Sequence, residues 1–131
     1  MSIRSTLLTQ LQTDLASGNI SVSTELPYTS GSDTLNIKNM KTLYLDALEQ
    51  ELTEAYEFVD SSADIYQTES TLNAFLSVDA KNQPADLDTR IASILSAKSA
   101  VANTITSESS VTSEIESDIL TYTFTYRFVT I

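Results

Sequence analysis

The chain has 131 residues, 18 acidic against 7 basic, giving a net charge of −11, and it contains neither His nor Cys. Its length suits a single domain, and a hydrophobic fraction of 41% argues for a packed core despite the charge. Without Cys there is no disulfide framework, thiolate nucleophile or Cys-based zinc site; without His there is no imidazole base; and two Gly cannot build a glycine-rich phosphate loop.

In chain order, the first expected element is a helix. Ile3, Leu7, Leu8, Leu11 and Leu15 recur at helical spacing, with Ser2 as N-cap and Ser17-Gly18-Asn19 as the stop. Strict alternation follows: Ile20, Val22, Thr24 and Leu26 against Ser21, Ser23 and Glu25, a half-buried strand ended by Pro27. Residues 28–36 read as a polar loop. The stretch 40–60 is ambiguous. Leu45, Leu48, Leu52, Ala55, Tyr56 and Val59 form a helical stripe of good helix formers, so propensity predicts a helix. Leu43, Leu45 and Ala47 nevertheless alternate before a change of phase to Leu48, Leu52, Tyr56 and Phe58, which a bulged strand would also produce.

After a turn at 61–64, Tyr66, Thr68, Ser70, Leu72, Ala74, Leu76 and Val78 predict a long strand. A connector over 79–85 leads to a second helix from Asp86, with Leu87, Ile91, Ile94, Leu95 and Val101 on one stripe. Asp86 and Asp88 suit its first turn and Lys98 lies toward its end. Residues 103–117 are rich in Ser, Thr and Glu, and predict a short strand near Thr104–Thr106 followed by a mobile loop. The last element alternates Leu120, Tyr122, Phe124, Tyr126 and Phe128 against Thr121, Thr123, Thr125 and Arg127, a strand with an aromatic face. The expected fold is α+β: one domain, residues 1–131, with a mostly antiparallel sheet packed against two helices. Leu7, Leu11, Leu72, Leu76, Ile91, Leu95, Tyr122 and Phe124 form its expected core.

The charge shapes the functional reading. An acidic chain repels nucleic-acid phosphates and anionic membranes, so neither is an expected partner. The acids could keep the protein soluble, keep a surface from adhering to passing DNA, or mimic DNA's charge. A mimic needs carboxylates at phosphate-like intervals along one face, a pattern the sequence does not show. No stretch approaches the ~18 apolar residues of a membrane span. The first apolar residues are interrupted by Thr9, Gln10 and Gln12, unlike a signal peptide, so synthesis in a cytosol is the expectation.

Chemistry-bearing patterns are weak. None of Lys38, Lys41, Lys81 or Lys98 has Ser three residues before it, which removes the usual serine–lysine spacing. Glu49, Glu51, Glu54 and Glu57 cluster, but such a run most often forms a solvated face. Asp79, Asn82, Asp86 and Asp88 offer hard oxygen donors for Ca²⁺ at a spacing that matches no EF-hand loop. The aromatic row 122–128 could stack bases, but Arg127 is its one cation, and a core-facing strand fits better. Neither catalysis, nor a cofactor, nor a bound metal is expected.

Three stretches carry a resemblance: the opening helix with Leu7, Leu8, Leu11 and Leu15; the long strand Tyr66–Val78 running through 79–88 into its helix; and the closing strand Ser117–Phe128. In this layout, across nearly its whole length, the chain resembles the tail terminator (tail-completion) proteins of long-tailed bacteriophages. The resemblance implies strand for residues 41–58. It also implies a virion protein of the neck region whose subunits form a ring, a hexamer, that caps the tail tube, ends its polymerisation and meets the head-closure proteins. The alternatives are another neck or head-closure component, or an acidic DNA-mimic inhibitor. Candidate channel-facing acids are Asp46, Glu49, Glu51, Glu54, Glu57, Asp60, Glu108, Glu114 and Glu116. Candidate interface residues are Tyr28, Arg4, Arg90, Lys98 and Arg127.

Overall fold

The computed structural model describes residues 3–16, 20–25, 42–46, 49–56 and 65–130, with backbone alone for 49–56 and 65–67. Its elements are α1 (Ile3–Leu15), β1 (Ser21–Ser23), β2 (Thr42–Leu45), β3 (Glu49–Tyr56), β4 (Ile65–Asp79), α2 (Leu87–Ser96), β5 (Thr106–Glu116) and β6 (Ile119–Thr130). The fold is α+β, with one mostly antiparallel sheet and two helices, as the sequence patterns predict.

The 15-residue β4 is the spine of the sheet. One of its edges pairs with β6 over Thr68–Asp79, and the other pairs with β3 along its first half and β2 along its second. β1 adds in parallel beyond β2, and β5 closes the other side against β6. Even-numbered residues of β4 and β6 face the helices: Leu72, Ala74, Leu76, Phe124, Tyr126 and Phe128 are buried there with Leu43 and Leu45 of β2. Helix α1 contributes Leu7, Leu11 and Leu15, four residues apart and therefore on one face, and α2 contributes Leu87 and Ile94. A short 3₁₀ turn, Ala97–Ala100, continues α2 and seats Ala97 in the same core.

Tyr126 shows how tightly this layer is closed. Its side chain is fully buried, and its phenol donates a hydrogen bond to the Ile94 carbonyl of α2. Its ring stacks on Phe128 at a centroid distance of 6.4 Å. On the helix-to-sheet seam, Arg4 donates from Nε to the Asp46 carbonyl at 3.0 Å and from Nη2 to the Leu45 carbonyl at 3.4 Å. That fastens α1 to the end of β2.

Several expectations need correction. The helix that propensity predicts within 40–60 is absent from the described residues there, which form β2 and β3. Leu45 pairs with Ala74 and Glu49 with Thr71, so four steps on one side oppose three on β4. The extra residue shifts the phase of alternation as a bulge does, and this produces the helix-like apolar spacing. The mobile loop expected at 107–117 is instead β5, which pairs with β6 residue for residue over its whole length. The strand expected from Ile20 to Leu26 shortens to Ser21–Ser23. Of the expected core, Ile91, Leu95 and Tyr122 are only partly buried, packed against its rim. Ser2, Ser17-Gly18-Asn19, Pro27 and the loops 28–36 and 57–64 lie outside the described residues.

Two predictions follow from the packing. Leu76→Ala deletes a side chain 1% exposed at the centre of the sheet and should lower unfolding free energy by about 2–5 kcal/mol in a urea titration. Tyr126→Phe should lower it by about 1 kcal/mol, because Ile94 still accepts the Ala97 N–H when the phenol is gone. Burial pushes the Tyr126 phenol well above its ordinary range, so the native state holds that proton more tightly than the unfolded chain, where it titrates near pH ~10. Stability from this group is complete below pH ~10 and falls as the pH rises beyond it, and Tyr126→Phe should flatten that alkaline slope.

Candidate interaction surface

The sheet face turned away from the helices is polar, and alternation decides its content. The odd residues of β4 and β6 and the even residues of β5 share it: Glu69, Thr71, Asn73, Phe75 and Ser77; Ile119, Thr121, Thr123, Thr125, Arg127 and the buried Val129; Glu108, Ser110, Thr112, Glu114 and Glu116. Cross-strand hydrogen bonds lace it. The Ser77 and Thr121 hydroxyls lie 3.1 Å apart, and Thr125 Oγ1 donates to Asn73 Oδ1 at 3.0 Å.

Arg127 sits among these groups with a carboxylate on either side. Its Nε donates to Glu69 Oε1 at 2.5 Å and its Nη1 to Glu108 Oε2 at 3.3 Å, bridging β4, β6 and β5. The hydrogen bond from Arg127 holds the Glu69 carboxyl below the usual carboxylate range. Glu108, Ser109, Ser110, Thr125 and Arg127 line a shallow, open depression on the β5 side of this bridge.

No protein-family model matches the chain, and a search of curated proteins returns no match.

The candidate acids fall on different parts of the fold. Glu108, Glu114 and Glu116 share one face of β5 and are all exposed, and Glu108 also pairs with Arg127. Glu49, Glu51 and Glu54 fall on β3, where Glu51 comes into register with Glu69 of β4. Asp46 follows β2, and its backbone N–H donates to the Asn73 carbonyl at 2.8 Å. Glu57, Asp60 and Tyr28 lie outside the described residues.

Three of the candidate interface cations are engaged within the chain. Arg4 fastens α1 to β2, Arg90 pairs with Asp86 one turn earlier at 2.9 Å, and Arg127 forms the double bridge. Lys98 lies half-exposed in the 3₁₀ turn. The oxygen donors considered for Ca²⁺ also have local work. Asp79 accepts the Lys81 N–H at 3.0 Å and the Asn82 amide at 3.3 Å, which lowers its pKa, and Asp86 holds Arg90. Among the described residues no three His, Cys, Asp or Glu side chains gather as a metal site would require.

Sequence reasoning missed the Glu69–Arg127–Glu108 bridge. The alternation places Arg127 on the polar face, but its neighbours depend on the pairing of β4 and β5 with β6, and β5 was not expected there. If the bridge sets the Glu69 titration, Arg127→Met should move that carboxyl back up toward the ordinary range. A carbon-detected NMR titration of wild type and variant reads the shift directly.

Proposed function

We propose that this chain is a structural protein of a long-tailed phage virion, a tail terminator that forms a hexameric ring on the tail tube, ends its polymerisation and meets the head-closure proteins. The observation that carries the reading is the order of elements: an opening helix, a long central strand, a helix after it, and a closing strand in the middle of one mostly antiparallel sheet. That is the layout on which the resemblance rests. The work of such a protein is interface formation, with no catalytic step and no cofactor.

The electrostatics are compatible with this reading. A channel that carries DNA is better lined with acids than with bases, because basic walls would bind phosphate and slow its passage. The carboxylates of β5 and the acidic sequence of β3 would supply such a surface. The net charge of −11 per subunit opposes closure of a ring, and the arginines best able to offset it are occupied inside each subunit.

Ring formation by the purified protein should therefore strengthen as salt rises and the Debye length shrinks from ~10 Å at 0.1 M to ~3 Å at 1 M. Sedimentation velocity across that range, with negative-stain imaging of the fastest species, should show a six-membered ring growing at the expense of the monomer. A monomer at every salt concentration that also fails to cap purified tail tubes would remove the proposal.

A further inference from the structure

Among the described residues no strand lies beyond β5, and Thr112–Glu116 are all exposed. Exposed edges are commonly blunted by charged side chains, by proline or by a bulge. The charges of β5 are its three glutamates, it contains no proline, and its pairing with β6 runs from Thr106 to Glu116 without a shift. It is a straight, regular template.

The hairpin geometry states which backbone groups that template offers. The turn between β5 and β6 is two residues, Ser117 and Asp118, with φ of 50° and 65°, the signature of a type I′ loop. Such a loop makes Glu116 and Ile119 a hydrogen-bonded pair, and bonding alternates from there. The N–H and C=O groups of Ser109, Val111, Ser113 and Ile115 therefore point away from β6, along roughly 20 Å of edge.

The side chains select the occupant. Glu114 and Glu116 stand exposed on one face, while Glu108 is taken by Arg127. Ile115, on the other face, is 63% exposed. Two copies of β5 paired antiparallel about Val111 would place Glu108 against Glu114 twice, and like charges directly opposite are destabilising. Paired about Ser113 they would set no glutamate against another, but each copy still brings a net charge of −11 to the contact. The same negative charge attracts a basic strand.

We propose that β5 is a docking strand. It receives, by antiparallel strand addition, an extended segment of another protein chain in which basic residues alternate with apolar ones. The basic residues lie over Glu114 and Glu116, and an apolar residue covers Ile115. Opposed residues of an antiparallel pair share a face, so the apolar residues of the incoming segment are the ones whose backbone bonds to Ser113 and Ile115. This assignment holds for a monomer and for a ring closed through other surfaces.

The probe is a fluorescent nine-residue peptide alternating lysine and valine, titrated by anisotropy against the full chain at low salt. It should bind, and a glutamate–valine peptide should not. Methylating the valine amides should weaken binding at least about tenfold, and methylating the lysine amides should leave it unchanged. Ser113→Pro removes an outward N–H while sparing the bonds to β6, and should weaken binding comparably; Glu114→Lys with Glu116→Lys should abolish it. Equal binding by both methylated peptides would overturn the proposal, since attraction would then be charge alone. Unchanged binding by a folded Ser113→Pro variant would also overturn it. So would an oligomer that Ser113→Pro dissolves, because the edge would then belong to a second copy. If Ser113→Pro fails to fold, the methylated peptides decide.

Discussion

The pairing of β4 with β6 is the constraint from which the rest of the structure follows. Twelve consecutive residue pairs, Thr68–Thr130 through Asp79–Ile119, run without a register shift down the middle of the sheet. Because side chains alternate, that single register assigns Leu72, Ala74 and Leu76 to the same layer as Tyr122, Phe124, Tyr126 and Phe128. A slip of one residue would carry the aromatic row out to solvent and bring Arg127 and the threonines inward. Burial of the aromatics therefore fixes the register, and the register in turn brings Arg127 within reach of Glu69.

The two faces of this central pair divide the labour of the molecule. Against one, α1 and α2 close a core of leucine, isoleucine and aromatic side chains, with the Tyr126 phenol tied to a helix carbonyl so that its burial leaves no orphaned donor. The other is held by hydroxyl and amide contacts and by one guanidinium between two carboxylates. The hydroxyl and amide contacts are partly buried, with Ser77 fully so, whereas the exposed ion pairs add little stability individually. They define which polar groups this face presents, and where.

How much of this was legible in the sequence depended on burial. β4 and β6 are half-buried over long spans, so Tyr66–Val78 and Leu120–Phe128 alternate cleanly, and the leucines of α1 repeat every fourth residue. β5 gave almost no signal. Only Val111 and Ile115 are apolar between 106 and 116, and a strand with solvent along one edge has little need of more. Between 42 and 56 the pattern was present but broken by one extra residue between β2 and β3, and a period-two pattern interrupted in this way approximates a helical stripe. The surface was the least legible part: its acids and Arg127 could be named, but their neighbours depend on strand pairing across nearly sixty residues of chain, as between Glu69 and Arg127.

The position of β6 has a consequence for biogenesis. It is the last strand in chain order, yet it lies between β4 and β5. As the polypeptide emerges from the ribosome, α1, β4 and α2 are all exposed before the strand that joins them has been made. Until residues 119–130 are released, one long flank of β4 has no neighbour, and neither helix has the aromatic floor on which it will rest. Vectorial synthesis therefore cannot build this sheet outward from a finished half; closure waits on the final strand, and loop-closure entropy makes such non-local assembly slow. During that interval Leu72, Ala74 and Leu76 are open to other contacts, so folding of the sheet rests on how fast residues 119–130 find their place.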